Sequence, residues 1–219
     1  MSVLFITGTD TGVGKTFVAC ALATALRARG RRVAVLKPVE TGVEREPEDA
    51  LRLREAADDD ATLDDICPYR LRAPLAPAVA ARLEGTTIDV ERIATLITRR
   101  AATADVLLVE GAGGLCVPLT THTTYCELAA RLGLPLLIVA ANRLGTVNHC
   151  ALTTRVAAAA GLSIRGFVLS HPTPTTDLSA DTNAATIAAL TGLRSWGVLP
   201  HSKSPADAVR ALAIPDPFA

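Results

Sequence analysis

Six short runs of aliphatic and β-branched residues constrain this chain of 219 residues more than any other feature. They span 3–7, 33–36, 106–109, 136–140, 164–169 and, more weakly, 195–199. A strand that is apolar on both faces must be covered on both, which requires a parallel sheet with helices above and below it. Segments of helical spacing lie between the runs, at 15–29, 48–57, 90–102, 125–132, 147–160 and 181–190. The first of them ends at Gly30, a suitable residue just beyond a helix. The expected class is α/β, a doubly wound, mainly parallel sheet flanked by helices on both faces. Hydrophobic residues are 49% of the chain, enough to fill such a core without metal or disulfide, so one domain over 1–219 is expected. The proline-rich stretches 67–77 and 171–174 read as ordered loops.

Immediately after the first run the chain reads Gly8-Thr9-Asp10-Thr11-Gly12-Val13-Gly14-Lys15-Thr16 and then turns helical. Backbone N–H groups in such a loop curl around phosphate oxygens, and the helix N-terminus adds partial positive charge. Gly12 and Gly14 admit close approach, Lys15 reaches toward the β and γ phosphates, and the Thr16 hydroxyl suits Mg2+. The strict phosphate-loop pattern has glycine at position 9, where this chain has Thr9 with Gly8 one residue earlier. A glycine-rich turn that binds no nucleotide is the alternative.

The second run continues Val35-Leu36-Lys37-Pro38-Val39-Glu40-Thr41-Gly42. Ligands of open parallel sheets sit beyond the carboxyl ends of the strands, so Lys37 is expected in the crevice that holds Lys15. Two ammonium groups there suit a γ-phosphate meeting a second anion. The third run continues Val109-Glu110-Gly111-Ala112-Gly113-Gly114, and a carboxylate at the end of such a strand is where phosphoryl-transfer enzymes hold a magnesium ligand. The plain alternatives are a solvated Lys37 and a Glu110 that caps a turn.

Composition removes other classes. Twenty-two lysines and arginines balance 22 aspartates and glutamates, so no global field draws in nucleic acid or an anionic membrane. Aromatic residues are 3% of the chain, too few for stacking platforms that grip single strands. Cys20, Cys67, Cys116, Cys126 and Cys150 are odd in number and form no C-x-x-C pair, so buried reduced thiols are expected. No run approaches the ~18 apolar residues of a membrane span, and no basic segment precedes the first run. A cytoplasmic protein without membrane or nucleic-acid partners is expected.

Taken together, the loop 8–16, Lys37-Pro38-Val39-Glu40-Thr41-Gly42, Val109-Glu110-Gly111-Ala112-Gly113-Gly114 and Leu144-Gly145-Thr146-Val147-Asn148-His149 resemble dethiobiotin synthetases, in that family's order and spacing. The resemblance implies a P-loop NTPase-like fold, ATP as co-substrate and Mg2+ as cofactor. It makes Gly12, Val13, Gly14, Lys15, Thr16 and Phe17 the ATP loop, and Thr11, Lys15 and Lys37 the catalytic set. It makes Thr16, Asp49 and Glu110 the magnesium ligands, with Gly111, Ala112 and Gly113 also at the ATP. Ser170, His171, Pro200, His201, Ser202 and Asp207 fall where the family holds base and ribose. Thr41 becomes a substrate contact, and Thr146, Val147 and Asn148 hold the substrate carboxylate across a homodimer. A helix start after Gly145 supplies free N–H donors suited to a carboxylate, with ordinary capping by Thr146 as the alternative. Asp49 has its own alternative, an acid that only favours a helix dipole.

The implied reaction takes 7,8-diaminononanoate, CO2 and ATP to dethiobiotin, a cyclic urea of biotin biosynthesis, through a carbamate and a carbamic-phosphoric mixed anhydride. Catalysis of that kind rests on positioning and charge stabilisation, so His122, His149, His171 and His201 are left as loop or capping residues. Where the family often shows Asn-Asp after the fifth strand, this chain has Ser170-His171. A hydroxyl cannot present the paired donor and acceptor of an amide, so other nucleoside triphosphates are admitted beside ATP. Two readings compete. A switch ATPase of the partition type carries a second lysine five residues before the loop lysine, where this chain has Asp10, and often ends in a basic amphipathic helix, where this one reads Ile214-Pro215-Asp216-Pro217-Phe218-Ala219. A cobalamin-precursor amidase needs a glutaminase domain for which 219 residues leave no room.

Overall fold

A computed structural model describes residues 2–215; Met1 and 216–219, the ends of the expected domain and of the C-terminal sequence just quoted, lie outside the described residues. Along the chain the elements run β1 (Ser2–Gly8), α1 (Lys15–Ala28), β2 (Val33–Leu36), β3 (Val39–Thr41), α2 (Glu48–Ala57), α3 (Leu63–Ile66), β4 (Tyr69–Leu71), α4 (Pro77–Leu83) and α5 (Val90–Ala101). They continue with β5 (Val106–Gly114), α6 (Tyr125–Leu132), β6 (Leu136–Ala141), α7 (Thr146–Ala159), β7 (Ile164–Ser170), α8 (Ala180–Thr191), β8 (Ser195–Leu199) and α9 (Pro205–Ala208).

The main sheet is parallel throughout and ordered β2-β5-β1-β6-β7-β8. The connection out of β1 goes to one side of it and the connection out of β5 to the other. That reversal opens a crevice beyond the carboxyl ends of the central strands. Both faces of the sheet are covered because successive side chains of a strand point to opposite faces. Leu4 and Ile6 share a core with Val18, Leu22 and Leu26 of α1 and Leu53 of α2. Phe5, between them, shares the opposite core with Ile93 and Ile97 of α5, and its ring lies 5.8 Å from that of Tyr125 on α6. Ile138, Ala140, Phe167 and Leu169 form a third core with Cys150 of α7 and Ile187 of α8. Each large apolar side chain so buried contributes about 1.5–3 kcal/mol.

Three features depart from the expectations. β3 and β4 pair in parallel, Val39 with Tyr69 through Thr41 with Leu71, as a separate two-stranded sheet. The expected loop 67–77 therefore contains a strand and ends on the first residue of α4. β5 runs on to Gly114 because Ile6 pairs with Glu110 and Gly8 with Gly114, so Glu110 lies inside the strand. Four cysteines are free and buried as expected, whereas Cys116 is exposed, on the turn that follows β5. Among the described residues no helix is long and apolar enough to cross a membrane.

Candidate active site

The crevice is built upward from the end of β1. A Cβ on Gly8 would lie 2.7 Å from the Asp10 carbonyl oxygen and 2.9 Å from Lys15 Nζ, so only glycine lets the loop fold back over that ammonium. Gly14 has φ 84°, in the left-handed region, and α1 starts after it without a side-chain cap. Free N–H donors and the positive end of the helix dipole are thereby left for an anion. Lys15 Nζ donates to the Asp10 carbonyl at 3.1 Å. Burial, and then repulsion by Lys37, lower the Lys15 pKa from 10.5 to about 8, so an arriving phosphate stabilises its charged form. Thr11 stands beside the β5 glycines, its Oγ1 3.4 Å from where a Cβ on Gly113 would be. Gly12 is exposed, and Phe17 is half-buried against the α1 core. Val13 is buried, and its carbonyl accepts the Ser170 hydroxyl at 2.5 Å, which ties the end of β7 to the loop.

Four residues far apart in sequence converge below the loop. Lys37 is 3% exposed and Glu110 1%. Lys37 Nζ donates to Asp49 Oδ2 at 2.9 Å and to Glu110 Oε1, and Thr16 Oγ1 donates to the same Glu110 oxygen at 2.9 Å. The Thr16 hydroxyl also supports the Asp49 carboxylate. Burial alone would lower the Lys37 pKa, but the charges of Glu110 and Asp49 outweigh it and hold the ammonium protonated well above its ordinary value. Burial likewise opposes the ionised form of Asp49, and the Lys37 charge overcomes it, so Asp49 stays below the ordinary carboxylate value. The ammonium has three donors, and these contacts use two. Glu40, a residue whose side chain the sequence did not single out, accepts from the Asp49 and Ala50 amides, each at 3.0 Å. The available signal was Pro47 at the start of α2, which cannot cap the helix with its side chain.

The oxygen donors here suit a hard cation. Glu110 Oε2 is buried with no hydrogen-bond partner, and it stands with the Thr16 hydroxyl and the Asp49 carboxylate. Mg2+ is typically held by one or two carboxylates together with substrate phosphates rather than by an all-protein cage. Among the described residues no group of three or more His, Cys, Asp or Glu forms such a cage, and a hydroxyl with two carboxylates fits a hard divalent cation such as Mg2+ completed by phosphate oxygens.

Two stretches of the rim differ. At one, His171 N donates to the Leu199 carbonyl at 3.0 Å, and His171 Nε2 lies 3.2 Å from Asn142 Nδ2. Beyond β8, Pro200 and His201 are exposed, and Ser202 Oγ reaches Asp207 Oδ2 at 3.3 Å. These residues share the edge made by the ends of β7 and β8, beside a cleft of about 740 Å³ lined by Asn142, His171, Asp177 and Asp181. Next to that edge, beyond the end of β6, α7 begins after Gly145 with no side-chain cap, and the Thr146 hydroxyl faces Cys150 Sγ at 4.0 Å instead. A recess between Thr9, Asp10, Val13, Arg143, Thr146 and His149 joins the start of α7 to the phosphate loop of the same chain. Val147 is half-buried, Asn148 is exposed, and Thr41 is half-buried at the end of β3.

A family model described as an AAA domain matches residues 2–207. An ATP-dependent dethiobiotin synthetase of Anaeromyxobacter dehalogenans (strain 2CP-1) is 50% identical, over 95% of this chain and 94% of its own length. The chain belongs to the dethiobiotin synthetase family. A Bacillus subtilis dethiobiotin synthetase is 38% identical, over 90% of this chain and 86% of its own. Among solved structures, the Pyrococcus furiosus cell division ATPase MinD aligns with TM-score 0.58 at 18% identity, over 95% of this chain and 94% of its own. Likeness at that identity establishes the P-loop NTPase fold alone, and function has to be argued from the site. This chain shares that fold with MinD but has Asp10 where the switch-ATPase reading needs a lysine.

Proposed function

We propose that this chain converts 7,8-diaminononanoate, CO2 and ATP into dethiobiotin, ADP and phosphate. The observation that carries the reading is the convergence of Lys15 and Lys37 with Thr16, Asp49 and Glu110 below the phosphate loop, in a chain so similar to named dethiobiotin synthetases. One substrate amine adds to CO2, forming an N–C bond and losing a proton to give a carbamate. A carbamate oxygen attacks the γ-phosphorus; the bond to ADP breaks and a carbamic-phosphoric anhydride forms. The second amine attacks the carbonyl carbon, loses a proton and expels phosphate as the ring closes.

The protein positions and stabilises charge. A carbamate brought to ~4 Å from an anionic γ-phosphate is repelled by about 4 kcal/mol per pair of unit charges at an effective dielectric near 20. Lys15 and Lys37 offset that repulsion, and Thr11 with the backbone of Gly111, Ala112 and Gly113 brackets the same phosphate. Thr16, Asp49 and Glu110 would hold Mg2+, which when bound offsets charge on the β and γ phosphate oxygens. Thr41 contacts the diamine, and the uncapped start of α7, at Thr146, Val147 and Asn148, receives its carboxylate. Leu144, Leu152 and Val156 lie exposed at and along α7, which supports a homodimer formed over this helix. Residues 1–219 act as one domain, and a cytoplasmic location accords with the use of ATP.

Ser170, His171, Pro200, His201, Ser202 and Asp207 take the nucleoside. With the Ser170 hydroxyl engaged by the Val13 carbonyl, it offers adenine no paired donor and acceptor. Turnover with CTP or GTP is therefore expected within about a hundredfold of that with ATP. A preference of roughly 10⁴, the size given by a site that reads a base through hydrogen bonds, would count against this. Incubation with the diamine, bicarbonate, Mg2+ and ATP, read by mass spectrometry, tests the function itself. The cyclic urea should form with ADP, each requiring the diamine; ADP release indifferent to the diamine would favour a switch ATPase.

A further inference from the structure

Asp49 reaches the site from an unpromising place, the first turn of a helix entered through the exposed stretch Glu44, Arg45 and Glu46. Its carboxylate must nonetheless meet Lys37 Nζ at 2.9 Å. The start of α2 has no side-chain cap of its own, because Pro47 occupies the position before it. The missing cap comes from β3. Glu40 Oε1 accepts from the Asp49 amide and Glu40 Oε2 from the Ala50 amide, both at 3.0 Å, and Glu40 is 7% exposed. These are two of the helix-start donors that otherwise lack partners, and a carboxylate also matches the positive end of the dipole. Lys37 and Glu40 stand three residues apart, on the segment that enters β3. One segment therefore grips Asp49 twice, by its side chain through Lys37 and by its backbone through Glu40.

We propose that Glu40 is a positioning residue, which sets Asp49 in register with Lys37, Thr16 and Glu110 and so prepares the divalent-cation site. The inference rests on Asp49 being a ligand of that cation. Its test titrates the full chain with Mn2+ in the presence of a non-hydrolysable ATP analogue and reads bound metal by electron paramagnetic resonance. Four proteins are compared: wild type, Glu40→Gln, Asp49→Asn and the double variant. Glutamine keeps the size and one acceptor of Glu40, and thermal melts verify folding. Glu40→Gln should weaken Mn2+ binding roughly tenfold to a hundredfold, as loss of a supporting partner does. In the Asp49→Asn background the same change should add little, because its effect passes through Asp49. Additive losses, or unchanged Mn2+ affinity in Glu40→Gln beside a clear loss in Asp49→Asn, would overturn the positioning role alone. Unchanged affinity in Asp49→Asn would overturn the ligand assignment and the proposal with it. Should Glu40→Gln fail to fold, amide exchange at Asp49 and Ala50 in the wild type decides: these amides should be protected like interior helical amides, and rapid exchange at both would overturn the grip.

Discussion

Lys37 is a buried cation balanced by two carboxylates, and the consequences of replacing it follow from what its partners are left with. Lys37→Met strands Glu110 in the interior without its cation, a loss of about 3–5 kcal/mol for a broken buried pair, visible in the urea midpoint. Lys37→Gln keeps an N–H donor and isolates the charge. It should keep the far-UV spectrum of the wild type and lower turnover about a hundredfold or more, corresponding to ~3 kcal/mol for one lost electrostatic stabiliser. Near-normal turnover in that variant would remove Lys37 from the mechanism. Lys37 and Glu110 were legible in the sequence because each ends an apolar run, and Lys15 and Thr16 because the glycine-rich loop after β1 leads straight into α1, so local order fixes the end of the sheet they reach. Asp49 was less so, since the loop before it carries no periodicity and its place depends on Glu40, nine residues earlier. The hydroxyl of Ser170 was legible as a departure but not as a brace, because its partner, the Val13 carbonyl, is 157 residues away.

At the scale of elements, one buried ion pair ties α5 to the loop between α2 and α3 and, through that loop, to β2. Arg100 on α5 bonds Asp59, whose carboxylate also accepts from the Val35 amide at 3.0 Å and the Ala61 amide at 3.1 Å. Arg100→Met leaves that carboxylate without its cation and should lower stability by about 3–5 kcal/mol, measured by urea denaturation. A smaller effect, with a pH signature, belongs to the capping box of α6. The Thr124 hydroxyl and then its backbone N–H hold Glu127 below the ordinary value of 4.5. A depressed carboxylate stabilises above its unfolded pKa, and that share is lost as pH falls through the folded value. Glu127→Gln should therefore lower the melting temperature at neutral pH, with the gap from wild type closing below pH 4.5; a gap independent of pH contradicts the cap. β3 and β4 escaped the sequence reading for a plain reason. Three residues each, Val-Glu-Thr and Tyr-Arg-Leu, are too short for a period, and they pair across some thirty intervening positions.

For the whole molecule, the doubly wound architecture was legible because the strands of its main sheet are mostly apolar runs that need cover on both faces, a requirement of the fold rather than of the chemistry. The apolar exposure of α7 was not, since its Leu152 and Val156 look in sequence like positions of any alanine-rich helix. If a second copy lies over them, Leu152→Asp should shift the light-scattering mass from dimer to monomer; a wild-type chain that is monomeric already contradicts the dimer. The central claim is that the two ammonium groups of this crevice bring a carboxylated amine, rather than water, to the γ-phosphate. A rapid single-turnover reaction with oxygen-18 bicarbonate, the diamine, Mg2+ and unlabelled ATP tests it most directly. The released phosphate should carry one oxygen from the bicarbonate, and only when the diamine is present. Phosphate whose new oxygen comes from water would contradict it.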